Sequence, residues 1–278
     1  MSKSKEIVMS GIRPTGVLHL GNYFGALRNY GRMQEQYECY FMVADWHSLT
    51  THPDTSSLKE QVHRVLAENI ACGLDPDKAA LYCQSHVPET AELYLYLNTL
   101  AYLGELEKTT TFKDKARQQP ENINAALLTY PVLQAADIMI VQGERVPVGR
   151  DQKQHIEITR DIALRFNHRF GDTFVVPKAV TPAAGARVMD LQSPTNKMSK
   201  STDTEAGIIY LTDSPSDIEK KFKRAVTDSD NSVSYDREGK PGVSNLLDIL
   251  SVATNTPVAT LVENYSQYGK LKTDTGAD

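Results

Sequence analysis

The chain has 278 residues with a net charge of −5, 40% hydrophobic and 23% charged residues. That composition is globular, and no apolar run approaches the roughly 18 residues needed to cross a bilayer. The negative net charge argues against a protein that coats nucleic acid non-specifically, although it leaves room for a local basic patch.

From the start, MSKSKEIVMSG runs from charge straight into a short strand with no apolar core segment, so no signal peptide is expected. Glu6 to Gly11 reads as the first strand, followed by the Gly/Pro loop GIRPTG. Helical spacing then runs from His19 to about Gln36. Cys39 to Leu49 is an apolar run of the kind a strand shows when both faces are covered. A helix from about Ser57 to Cys72 opens with the capping-box pair Ser57 and Glu60 and is stopped by Gly73. Ala80 to Ser85 reads as a third strand, and the alternation predicts a parallel, doubly wound α/β sheet.

After Pro88 the pattern is helical. Glu89 to Leu106 carries Leu and Tyr on more than one face, and further helices are expected over about Asn122 to Met139 and Gln152 to Phe170. TFVVP reads as strand, and helices return over Ser214 to Val226 and Val243 to Thr254. The three cysteines, Cys39, Cys72 and Cys83, have neither disulfide-framework nor zinc-site spacing, which suits a reducing cytoplasm.

Two motifs carry chemistry. GIRPTGVLHLGN follows the first strand and opens a helix, where main-chain N–H groups can meet phosphate oxygens. It is neither a Walker loop nor Gly-x-Gly-x-x-Gly, which removes the main support for P-loop kinases and dinucleotide dehydrogenases. His19 and Asn22 lie three apart on the first helical turn beside Gly21, and a capped helix start is the structural alternative. The second motif, TNKMSKSTD, sets Lys197 and Lys200 three residues apart in a hydroxyl-rich loop. Taken alone, it reads as a solvated turn.

In this order, His-Leu-Gly-Asn and Lys-Met-Ser-Lys-Ser resemble the paired ATP motifs of class I aminoacyl-tRNA synthetases. GNYFGALRNY, GELEKTTTFKDKA, LLTYPVLQAADI, VPVGRDQKQHIEITRDIALRFN, GARVMDL and AVTDSD extend the resemblance over nearly the whole chain. They are similar to the bacterial tryptophanyl-tRNA synthetase family. The tyrosyl enzymes are its nearest relatives, and AADI with GxDQKQHIE favours tryptophan.

The resemblance implies activation of L-tryptophan with ATP to the adenylate and pyrophosphate, then transfer to the 3′ end of tRNA(Trp). Lys197 and Lys200 are expected to stabilise charge on the leaving pyrophosphate, with His19 and Asn22 as their catalytic partners. ATP contacts are implied at Arg13, Pro14, Thr15, Gly21, Asn22, Lys115, Gly149, Arg150 and Asp151. Further ATP contacts are implied at Val188 and over the loop Lys197, Met198, Ser199, Lys200 and Ser201.

Asp137 stands in an apolar segment where a carboxylate is costly without a partner, and the family uses this position to accept the indole N–H. Met9, Tyr130, Gln134, Val146, Val148 and Gln152 complete the implied tryptophan pocket. His47 matches a family position near the substrate, with a structural role as the alternative. Met9 and Gln134 stand where many bacterial members carry Phe and Met, and Arg150 replaces a common Glu. Magnesium is expected to ride on the ATP phosphates without a protein cage, and no resident metal site is expected.

The implied fold is a Rossmann-type, HUP-like sheet with a helical insertion and a partial C-terminal helical domain. Its expected parts are a catalytic domain over 1–190, with a homodimerisation insertion at about 88–170, the KMSKS loop over 191–206, and helices over 207–278. The family continues past the equivalent of YGKLKTD with helices that help to read the anticodon, so weak tRNA charging is expected of the chain as given.

Overall fold

The structure is a computed structural model that describes residues 5–14, 16–51, 54–149, 152–180, 187–199 and 205–277. It divides into two compact units, one of residues 1–15 with 30–183 and one of residues 16–29 with 184–278. This differs from the division at 190: the segment that carries His19 and Asn22 belongs with the C-terminal unit.

The first unit is built on a five-stranded sheet in the order β3-β2-β1-β4-β5. Its strands are β1 (Ile7–Ile12), β2 (Glu38–Val43), β3 (Ala79–Cys83), β4 (Arg145–Pro147) and β5 (Lys178–Val180). Every pairing is parallel, with Ile7 opposite Glu38, Cys39 opposite Ala79, Val8 opposite Arg145 and Val146 opposite Ala179. The order reverses at β1, and ligands of open parallel sheets bind beyond the carboxyl ends of the strands at that reversal. β4 has three residues, too few to leave a periodic trace in the sequence.

Two expected strands end where distant side chains take over the main chain. β2 stops at Val43, and residues Asp45–Ser48 form the short helix α3. The N–H groups of Trp46 and His47 are accepted by Gln84 Oε1 at 3.1 and 3.4 Å, and Asp45 Oδ1 accepts Ser85 N–H at 3.1 Å. Most of TFVVP is likewise not strand. Asn167 Oδ1 takes the N–H groups of Thr173 and Phe174, and Gln142 Oε1 takes that of Val175, so pairing begins only at Lys178.

The helix after Asp54, Thr55, Ser56 and Ser57, α4 (Leu58–Ala71), forms without the expected capping box. Ser57 Oγ accepts from Gln61 Nε2 at 2.8 Å, and Glu60 pairs instead with Arg64. The helix expected over Glu89 to Leu106 is broken into α5 (Glu89–Asn98) and α6 (Leu103–Leu106), with Tyr102 extended before the second. α7 (Thr110–Gln118) follows.

α8 (Ala125–Ile140) is the central helix of this unit, capped by Asn124, whose side chain accepts Leu127 N–H at 2.9 Å. It is apolar nearly all round because both sides are covered. Val132, Ala136 and Met139 pack with Leu97 of α5 and with Ile158 and Ile162 of α9 (Lys153–Phe170). Ile138 turns the other way, into a cluster with Met9, Met42, Val146 and Ile156 over the sheet.

The second unit begins with a helix that changes form. α1 (Leu20–Asn22) passes into a π-helical turn at Tyr23–Leu27 and returns to α geometry in α2 (Arg28–Met33), which leads into the first unit. Its core gathers Phe24, Val188, Met198 and Ile208 with α10 (Pro215–Lys223) and α11 (Pro241–Thr254). α12 (Val258–Asn264) and α13 (Tyr268–Ala277) close it through Leu261 and Leu271. No helix among the described residues is long and apolar enough to cross a membrane.

Candidate active site

Beyond the carboxyl ends of β1, β2 and β4 the first unit holds a cavity of about 490 Å³. Met9 and Val146, each about 2% exposed, form its floor, with Ile138 of α8 beside them. Val148 and Gly149 line the side that follows β4, and Tyr130, Gln134 and His47 supply polar edges. The residues named for tryptophan at Met9, His47, Tyr130, Gln134, Val146, Val148 and Gln152 are therefore brought together in one cavity.

Asp137 sits beneath this wall. It is 1% exposed and is absent from the lining, although its helix neighbours Gln134 and Ile138 belong to it. His47 Nε2 is 2.8 Å from Asp137 Oδ2, and Gln84 Nε2 donates to Asp137 Oδ1 at 2.8 Å. Burial pushes the carboxyl pKa up, and the two donors oppose that shift. His47 thus has a definite partner, and a carboxylate oxygen retains a further acceptor direction after one hydrogen bond.

A second network lies under the polar edge. The fully buried His155 imidazole has Nε2 at 2.6 Å from Tyr130 Oη and 2.7 Å from Thr111 Oγ1, and Nδ1 at 2.9 Å from Gln152 Oε1. An amide oxygen only accepts, so Nδ1 carries the proton and Nε2 receives a hydroxyl proton. One ring thereby orients Tyr130, Thr111 and Gln152, all of which line the cavity. Lys115 places its ammonium 4.8 Å from the Tyr130 ring centroid, and its pKa is lowered, first by burial and then by Arg13.

Sequence reasoning did not assign Gln84, Thr111 or His155 to the site. Thr111 and His155 stand inside stretches that carry the family resemblance, whereas nothing local distinguishes Gln84.

In the second unit, His-Leu-Gly-Asn forms a reciprocal cap. His19 Nδ1 accepts Gly21 N–H at 3.1 Å, and Asn22 Oδ1 accepts His19 N–H at 3.0 Å. A Cβ on Gly21 would lie 3.0 Å from the His19 ring, so a bulkier residue would press on it. The capped helix start and the polar motif are the same atoms.

The segment carrying Lys197 is a short hairpin. Met189 and Lys197 face each other in an antiparallel bridge, and Met198 N–H donates to Val188 O at 3.0 Å. Asp190 Oδ1 accepts the N–H groups of Gln192 and Ser193 at 2.7 and 2.9 Å and so fixes the turn. Met198 is 1% exposed and packs in the unit's core, so its side chain is an anchor, while Lys197 next to it is exposed. Val188 is also buried, with its carbonyl engaged by Met198.

Arg13 is exposed and Pro14 buried at the end of β1. Thr15, Arg150, Asp151, Lys200 and Ser201 lie outside the described residues. Among the described residues no group of three or more His, Cys, Asp or Glu could hold a metal ion, so no residue here is assigned to one.

With a doubly wound sheet and a cavity at its point of reversal in place, the class of protein follows from comparison. The chain belongs to the tRNA synthetases class I (W and Y), whose family model matches residues 1–275. It is 49% identical over 272 residues to the tryptophan–tRNA ligase of Listeria monocytogenes serotype 4b (strain F2365), covering 97% of this chain and 82% of that protein. The tryptophanyl-tRNA synthetase structure from Mycoplasma pneumoniae superposes with a TM-score of 0.87 at 36% identity, over 98% of this chain and 84% of that one. The Campylobacter jejuni tryptophanyl-tRNA synthetase, complexed with ADP and tryptophan, gives 0.78 at 32% identity over 97% and 83%.

Proposed function

We infer that the chain is a tryptophan–tRNA ligase. A carboxylate oxygen of L-tryptophan attacks the α-phosphorus of ATP, the bond to the β-phosphate oxygen breaks, and pyrophosphate leaves. The 3′-terminal ribose hydroxyl of tRNA(Trp) then attacks the acyl carbon and releases AMP. The observation that carries the tryptophan assignment is Asp137, a buried carboxylate held by His47 and Gln84 beside an apolar cavity. An indole N–H supplies a further donor to that carboxylate, and a site built around a buried acceptor rejects ligands that lack the donor, such as phenylalanine.

Tyr130 and Gln152 are proposed to hold the α-amino and carboxylate end of the amino acid. Gly21, Asn22 and Lys197 are proposed ATP contacts, together with Lys200 and the other loop residues named from the resemblance. Exposed Lys197 suits a donor that engages charge as pyrophosphate departs. Magnesium is proposed to arrive on the ATP phosphates and neutralise them. The setting is proposed to be the cytoplasm.

A homodimer is proposed through the helical region after Pro88. Leu95, Tyr96, Tyr102 and Leu103 are 66%, 55%, 60% and 59% exposed, an apolar concentration that suits a protein partner.

The test is ATP–pyrophosphate exchange with each amino acid separately. Exchange specific to tryptophan is expected; exchange driven by tyrosine would assign the chain to the other branch of the family. Asp137→Asn should raise the tryptophan KM and weaken discrimination against phenylalanine, with little change in the ATP KM.

A further inference from the structure

Gln84 lies one residue past β3, is 1% exposed, and its side chain bonds Asp137 and the α3 turn that carries His47. Its Oε1 accepts from Trp46 N–H and His47 N–H, the first turn of α3. That fixes the orientation of the amide. An Oε1 held by two main-chain donors leaves the NH₂ on the opposite side, and there it donates to Asp137 Oδ1 at 2.8 Å. The same helix turn presents the His47 ring, which reaches Asp137 Oδ2 at 2.8 Å. One side chain therefore supplies a donor to the carboxylate and also anchors the turn that supplies the other donor.

We propose that Gln84 is a specificity-determining positioning residue, which keeps Asp137 ionised and aimed as the acceptor for the indole N–H. The proposal rests on the reading of Asp137 given above. A buried carboxyl without donors takes up a proton, and a protonated oxygen competes as a donor for the partners an indole N–H requires. The two side-chain donors, one carried by α3 and one by the residue after β3, oppose both rotation and protonation of the carboxylate. The other ionisable groups facing the pair are His47 and Asp45 from α3 and Tyr82 from β3; Asp45 and Tyr82 both interact electrostatically with Asp137. Asp45 is itself engaged by Ser85 N–H.

Two substitutions separate positioning from simple support. Gln84→Glu retains an oxygen for the α3 amides but turns a second oxygen toward Asp137, so the two carboxyl groups must share one proton. Gln84→Leu removes the donor without adding charge. In ATP–pyrophosphate exchange with the full chain, each variant is expected to raise the tryptophan KM about ten- to a hundredfold, the range for losing a hydrogen bond to a charged group. The ATP KM and kcat should stay within about threefold of the unaltered chain.

For Gln84→Glu, the ratio of its tryptophan KM to that of the unaltered chain should shrink as pH falls from about 8 to about 6. The shared proton then returns and restores a donor to Asp137.

Thermal melting of each variant accompanies the kinetics. An unchanged tryptophan KM in both variants overturns the proposal, as does a loss falling equally on kcat and both KM values, or a Gln84→Glu defect indifferent to pH. Asp137→Asn measured in parallel separates the two readings. If it too leaves the tryptophan KM unchanged, the acceptor assignment itself falls; if it alone raises that KM, only the role of Gln84 falls.

Discussion

The side-chain amide of Asn245 hydrogen-bonds both main-chain groups of Met189: it accepts Met189 N–H at 2.9 Å and donates to Met189 O at 3.0 Å. Asn245 is buried on α11, and Met189 is the residue that faces Lys197 across the hairpin bridge. Helix α11 of the second unit therefore holds the strand that faces Lys197 across the hairpin.

Asn245→Ala should leave two main-chain groups of Met189 without their partner, at a cost of about 1–3 kcal/mol. Amide hydrogen exchange is expected to quicken in residues 188–198 while β1 and β2 keep their protection. Uniform exchange across the chain would mean that this clamp does not hold the hairpin.

Gly207 is required by Asp190. A Cβ there would fall 2.1 to 2.4 Å from the Asp190 carboxylate atoms, in space that is already full. Gly207→Ala must displace the side chain that fixes the 191–196 turn, and overpacking of this kind costs roughly 1–3 kcal/mol. Chemical denaturation should show a lower midpoint with an unchanged slope.

Lys197→Ala removes one ammonium from the proposed pyrophosphate site. Adenylate formation under single-turnover conditions at saturating ATP is expected to slow by about a hundredfold or more, with tryptophan affinity nearly intact. A rate equal to that of the unaltered chain would return the loop to a solvated turn.

Asp228 predicts an acid transition in the second unit. The Tyr268 hydroxyl donates to it at 2.6 Å and Lys240 Nζ at 3.2 Å, and its pKa is lowered from 3.8 to about 2, chiefly by the Tyr268 bond. A carboxyl whose folded pKa is depressed binds fewer protons in the folded state. Its contribution is present above the unfolded value and is lost as pH falls through the interval from 3.8 to about 2. Melting temperature followed across that interval should fall less steeply in Asp228→Asn than in the unaltered chain.

Leu95→Glu should weaken self-association if the exposed face of α5 is the proposed dimer surface. Light scattering is expected to give a dimer for the unaltered chain at micromolar concentration and a smaller species for the variant. A monomer in both cases would remove that surface from consideration.

The sequence by itself determined the alternation of strands and helices, the parallel sheet and the pair of motifs at His19 and Lys197, because each is written in short-range periodicity or in a contiguous stretch. Met9, Tyr130, Gln134 and Val146 were likewise legible as one group through resemblance, and the cavity gathers them. Only the tertiary structure decided where β2 stops, since the acceptor that turns Trp46 and His47 into helix lies 38 and 37 residues away on Gln84. It also decided that Asp137 is approached by His47 and Gln84, 90 and 53 residues distant, and that His155 orients Tyr130 from 25 residues away. A polar residue's chemistry depends on which donors and acceptors folding brings within about 3 Å. Those partners are set by the packing of α3, α8 and α9 on the sheet, which local spacing does not encode.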